Sequence, residues 1–190
     1  MQNSATVSFL SSAEMPQGQK AQAVLSGVWR HIDKCITILE HISDEDYRKR
    51  HNGFAPIGEH MRHIINYMEC AFDGVSEEKD SVAFHIRERN AHIEKSRSYA
   101  LQTMLNLKAR LPMLYSANLH KKMTYFDMVD ENYEAVSMPS NGFGVLERGC
   151  IFHCIHHISD IVRDMAYMGY PIEPKFAKSS ATLFKDQRRQ

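Results

Sequence analysis

The sequence has no excess of charge of either sign. Its 23 Lys and Arg residues balance 23 Asp and Glu, for a formal charge of zero. A neutral chain has no net field to draw in nucleic acid or anionic lipid. It also lacks a basic stripe interleaved with aromatics, so no nucleic-acid partner is expected. No apolar run approaches the roughly 20 residues needed to span a bilayer, and no membrane partner is expected. The opening segment has neither a basic start nor an apolar stretch, which reads as a flexible tail over residues 1–19 and predicts a cytoplasmic protein. No repeat or low-complexity tract is present. Cysteine is sparse: Cys35, Cys70, Cys150 and Cys154 all fall inside apolar helical patterns. This predicts reduced, buried thiols rather than a disulfide framework.

The 190 residues, 43% of them hydrophobic, suffice for one domain with its own core. Apolar residues recur every three and four positions in four segments, 20–41, 56–72, 95–114 and 143–168. Pro56 suits the first turn of the second segment, and Gly74 is expected to close it. Pro112 should kink or end the third. Gly169 and Pro171 should end the fourth. Between the third and fourth, residues 121–138 alternate around Asp130-Glu131-Asn132, the pattern of a small hairpin or irregular loop. The fold predicted is all-α: a four-helix bundle over residues 20–175, with a long connection before the last helix and a C-terminal tail over 176–190. Met61, Met68, Met104 and Met165 fall at core spacing and act as filler between helices.

What the chain has in quantity is histidine, 11 residues. His60 and His63 sit on the second helix; His153, His156 and His157 sit on the fourth. His153 and His157 are four apart, which stacks their imidazoles on one helix face with Cβ atoms about 5–6 Å apart. A helical wheel centres the apolar arc of this helix near Ile158, places His153 and His157 on its shoulder, and turns His156 to water. On the second helix the wheel puts His60 on a shoulder of the arc and His63 further round. Two imidazoles from one helix and one from the other would form a three-nitrogen face at the rim of the core. Such a face suits Zn²⁺, Ni²⁺, Fe²⁺ or Mn²⁺ with positions left open. Cys150 and Cys154 point inward on the wheel and belong to the core.

Four segments carry a family likeness. They are Ile57-Gly-Glu-His-Met-Arg-His63, the connector from Phe84 to Glu94 with Arg87 and Arg89, His153-Cys-Ile-His156-His157, and Phe176-Ala-Lys-Ser-Ser-Ala-Thr182-Leu. In this order, across residues 24–187, they resemble the DinB-like superfamily of damage-inducible, metal-binding four-helix bundles. The resemblance implies one metal ligand from the second helix and two from the last. By position these are His63, His153 and His157, with His60 the runner-up from the wheel. It also implies metal-dependent chemistry: a transferase or hydrolase acting on a small molecule, including reactions that use a low-molecular-weight thiol. Bundles of this kind pair, so a homodimer is expected. The alternative is a metal-binding or stress-response protein without catalysis. Two departures concern the pocket. A Trp commonly opens the second helix in the family, where this chain has Phe54 and its single Trp is Trp29; the family's Arg-Glu pair before the last helix appears as Glu147-Arg148-Gly149.

A metal catalyst also needs a proton carrier. Asp160, three residues after His157, and Glu59, beside His63 on the wheel, are the candidates. Arg87 and Arg89 are the candidates for clamping an anionic substrate.

Overall fold

A computed structural model describes residues 17–51, 53–86, 90–128, 134–179, 182, 185 and 186. Arg87, Arg89, the Asp130-Glu131-Asn132 segment and most of both tails lie outside the described residues.

Four long helices form the bundle. The first, α1, is Gln17–His41, and its three- and four-residue repeat buries Val24, Val28, Ile32, Cys35, Ile36 and Leu39. A short helix α2, Asp44–Arg48, follows; the Ser43 side chain caps it by accepting from the Asp46 backbone N–H. Tyr47 of α2 is buried and donates to the Ile93 carbonyl at 2.6 Å, pinning this turn to the later connector.

The second long helix, α3, is Ile57–Ser76. Pro56 sits one residue before it, as its cap. Gly74 does not close this helix, contrary to the sequence pattern. It is a buried interior residue, and a side chain there would collide with Val82 of the adjoining strand β1, Ser81–Ala83. Close packing, rather than a left-handed cap, explains this glycine.

The connector then forms a short helix, α4, Ala91–Lys95, capped by Asn90, and runs into α5, Arg97–Ser116, capped by Ser96. Pro112 lies inside α5, which continues for another turn beyond it.

The segment before the last helix is a β-hairpin, as its alternation suggested. Strands β2, Lys122–Met128, and β3, Ala135–Asn141, pair antiparallel with Tyr125 opposite Met138. β1 adds to β2 in parallel, Val82 opposite Tyr125, making a three-stranded sheet in the order β1-β2-β3. The alternation extended to residues 121–138 had not revealed β1, whose three residues are too few to show a period.

The last helix begins as α6, Gly142–Leu146, widens into a π-helical turn over Glu147–Phe152, and continues as α7, His153–Tyr167. It ends at Gly169, whose φ of 85° is left-handed, with the Gly169 and Tyr170 N–H groups bonding back to Ala166 and Met165. Cys35, Cys150 and Cys154 are buried, Cys70 is half-buried, and all four are free thiols. Burial pushes the Cys35 thiol up to about 12, and raises Cys150 and Cys154 as well. Met61, Met68, Met104 and Met165 are fully enclosed. Among the described residues no helix is long and apolar enough to cross a membrane.

Candidate metal centre

Helices α3 and α7 meet along a histidine-lined seam. His60 faces His157, His63 faces both His153 and His157, and Tyr67 faces His153. This order, ascending on one helix and descending on the other, is that of an antiparallel pair. Spacings of three and four on α3 and of four on α7 keep all five rings on the facing sides.

His63, His153 and His157 form the tight group. Their ring centroids lie 4.7, 4.7 and 4.8 Å apart, and one nitrogen from each lies within 4.8 Å of the other two. All three rings are half-buried, at the rim of the core. On a tetrahedral zinc with bonds of about 2.0–2.1 Å, ligand nitrogens would be about 3.4 Å apart. The observed spread is within reach of small side-chain rotations. Three neutral nitrogen donors without a carboxylate suit borderline transition ions better than Ca²⁺ or Mg²⁺. The residues present therefore fit a divalent transition metal.

The wheel's rival for the second helix, His60, is not in that group. Its Nδ1 lies 3.0 Å from Nδ1 of His157, and with His157 and Asp160 it forms a second, adjoining group within 4.8 Å. Burial lowers the His60 pKa, against the opposing pull of Asp160, Asp164 and Glu59. His156 is exposed, as the wheel placed it. Asp160 bonds to Arg163 at 3.0 Å and lies 3.9 Å from His156. Glu59 is turned to Arg50, 3.2 Å away, and is not one of the converging groups. Its place beside His63 on the wheel did not account for the cation across the loop.

Three residues that the helical patterns missed complete the surroundings. Tyr67 stacks on His153 with centroids 3.6 Å apart and planes at 15°, and its other neighbour in the stack is Phe84 at 5.0 Å. The Tyr67 hydroxyl donates to Asp127 at 3.1 Å. Asp127, on β2, is 3% exposed and is clamped by Arg148 through Nε at 3.2 Å and Nη2 at 2.5 Å. Arg148 belongs to the π turn directly before His153. Tyr67 lies one turn after His63 and could have been found by extending the stripe. Asp127 is on a strand, and no helical period points to it. A fourth, Asp164, is 3% exposed on α7, and burial raises its pKa.

The π turn matters for geometry. Its wider bonding, from the His153 N–H back to the Arg148 carbonyl, sets the rotation at which α7 begins. Gly149 lets the turn approach α3: a Cβ there would lie 2.8 Å from the Ala71 Cβ and 3.1 Å from the Tyr67 carbonyl oxygen.

The fold has a solved counterpart. The solved structure of YfiT from Bacillus subtilis, described as a probable metal-dependent hydrolase with an unusual four-helix bundle topology, superposes with a TM-score of 0.58. The match covers 86% of this chain and 95% of that one, at 14% identity. The chain shares the four-helix-bundle fold of that structure. At that identity the likeness speaks for the fold alone. No protein-family model and no curated protein sequence matches the chain.

Proposed function

We propose that this DinB-like protein holds one divalent transition metal on His63, His153 and His157 and uses it as a hydrolase or thiol-dependent transferase acting on a small molecule. The observation that carries the reading is the convergence of three imidazoles from two helices, with their nitrogens within 4.8 Å of one another. Zn, Ni, Fe and Mn all suit such a set. The description of YfiT as a metal-dependent hydrolase supports the same chemistry. When bound, the ion supplies Lewis-acid activation of a water or thiol nucleophile.

The chain's own residues supply the rest. Tyr67 packs on His153 and limits its rotation. Asp160 is the carboxylate placed to move a proton, since it borders His157 and His60 while Arg163 holds one of its oxygens. Glu59 has no such role in this reading, because Arg50 engages it away from the cluster.

The test is metal analysis of protein purified without an affinity tag, together with activity on a panel of esters, amides and thiol acceptors. Near-stoichiometric metal, lost in His153→Ala along with activity, is the expected result. Metal without activity across the panel would favour the non-catalytic alternative. Metal retained in both His63→Ala and His153→Ala would overturn the site.

A further inference from the structure

The proposed ligand set leaves His60 without a task, although its imidazole is half-buried against the centre. We infer that His60 is a positioning residue: its Nδ1 accepts the Nδ1 proton of His157 and so presents the Nε2 lone pair of His157 to the ion. This rests on the metal-centre reading above.

The two Nδ1 atoms are 3.0 Å apart, a hydrogen-bond distance at which one ring donates and the other accepts. A neutral imidazole with its proton on Nδ1 has its free lone pair on Nε2. If His157 is the donor, its Nε2 is available for coordination. If His60 were the donor, His157 would carry its proton on Nε2 and spend its Nδ1 lone pair on the bond, leaving nothing for a metal. Only the first arrangement is compatible with His157 as a ligand. A metal-bound histidine commonly gives its second N–H to such an acceptor, which fixes both tautomer and ring orientation.

With Nδ1 accepting, the proton of His60 lies on its Nε2. Asp160 brings a carboxylate oxygen within 4.8 Å of a ring nitrogen of His60.

The same 3.0 Å has one competing explanation. An ion bonded to both Nδ1 atoms and to Asp160 would also bring those nitrogens close together. Arg163 weighs against it. Its guanidinium bonds to Asp160 at 3.0 Å and lies over the Phe54 ring, 4.6 Å from the centroid, so an ion on Asp160 would sit beside a fixed positive charge.

The experiment compares wild type with His60→Ala and His60→Asn, whose amide oxygen occupies nearly the place of Nδ1. Circular dichroism checks that each is folded. Two readouts are needed. Long-range nitrogen–proton NMR on metal-free protein reports the His157 tautomer. Cobalt titration, followed by its visible spectrum, reports affinity. The expected result is an Nδ1-protonated His157 in wild type, a shift towards Nε2 protonation in His60→Ala, and a loss of cobalt affinity of about 10- to 100-fold that His60→Asn largely restores. An Nε2-protonated His157 in wild type, or unchanged cobalt affinity in His60→Ala, would overturn the inference. So would a loss that Asn fails to restore and that Asp160→Asn reproduces in full, since His60 would then be a ligand. If wild type takes up no cobalt, the metal-centre reading fails on its own, and the tautomer measurement still decides whether His60 accepts from His157.

Discussion

Tyr67 lies flat on His153, centroids 3.6 Å apart and planes at 15°. The contact joins a residue of no obvious chemical function to a proposed ligand and makes the ring orientation of His153 depend on aromatic packing. Tyr67→Phe keeps the stacked ring and loses only the bond to Asp127. It should hold cobalt affinity within about threefold of wild type, whereas Tyr67→Ala should weaken it about tenfold or more. Equal affinities for the three proteins in a cobalt titration would make the stack a bystander.

Gly149 sets how closely the π turn approaches α3. An added methyl would meet the Ala71 Cβ at 2.8 Å, Phe84 Cε1 at 3.0 Å and the Tyr67 carbonyl at 3.1 Å. The carbonyl belongs to a helix and cannot retreat cheaply. Gly149→Ala should therefore cost about 1–3 kcal/mol in urea unfolding. It should also lower metal affinity, since the displaced turn carries His153. Gly18→Ala, where a Cβ meets nothing within 4 Å, is the control and should be near neutral.

The bundle was legible in the sequence because its helices bury one face each. The periods around Ile32, Met61, Met104 and Ile158 located all four, and the His153/His157 spacing marked a ring pair that does meet the α3 histidines. The wheel put His60 nearer the apolar arc than His63, but only the crossing of α3 and α7 decides which imidazole faces which partner. Gly74 was misread for a related reason. A glycine near a helix end looks like a cap until a strand is seen packed against it. The clamp on Asp127 was beyond reach, since it joins a strand to a π turn, and neither has a helical period.

His31 gives the protein a pH-dependent stability away from the histidine seam. It is 7% exposed, and its Nδ1 bonds to the Gly27 carbonyl at 2.8 Å. Burial lowers its pKa from the ordinary 6.5; the Gly27 bond opposes this, and Lys34 and Arg30 add to it. The unfolded chain takes up a proton near 6.5 while the folded chain still refuses it, so the unfolded state holds more protons in the interval below. The contribution is full above about pH 6.5 and is lost as pH falls through the depressed folded value. Urea midpoints measured from about pH 8 to about pH 5 should fall more steeply for wild type than for His31→Gln. Parallel curves would show that His31 does not carry this dependence.

Arg148 and Asp127 connect the sheet to the start of α7, and the burial of the acid makes their roles unequal. Asp127 is 3% exposed, so Arg148→Met strands a carboxylate in the interior, with only the Tyr67 hydroxyl and the Met128 N–H, among the described residues, left to donate to it. Breaking a buried pair on one side costs about 3–5 kcal/mol; the partial exposure of Arg148 places the expected loss near or below about 3 kcal/mol. Asp127→Asn removes the charge and keeps an oxygen for Tyr67, so the double variant Arg148→Met/Asp127→Asn should be more stable than Arg148→Met alone. That ordering is the mark of an uncompensated charge, because loss of packing alone would make the double variant the weaker of the two. Chemical unfolding of the four proteins in one buffer decides it. The same variants should weaken cobalt binding in the order of their destabilisation, since Arg148 also fixes the turn from which His153 projects.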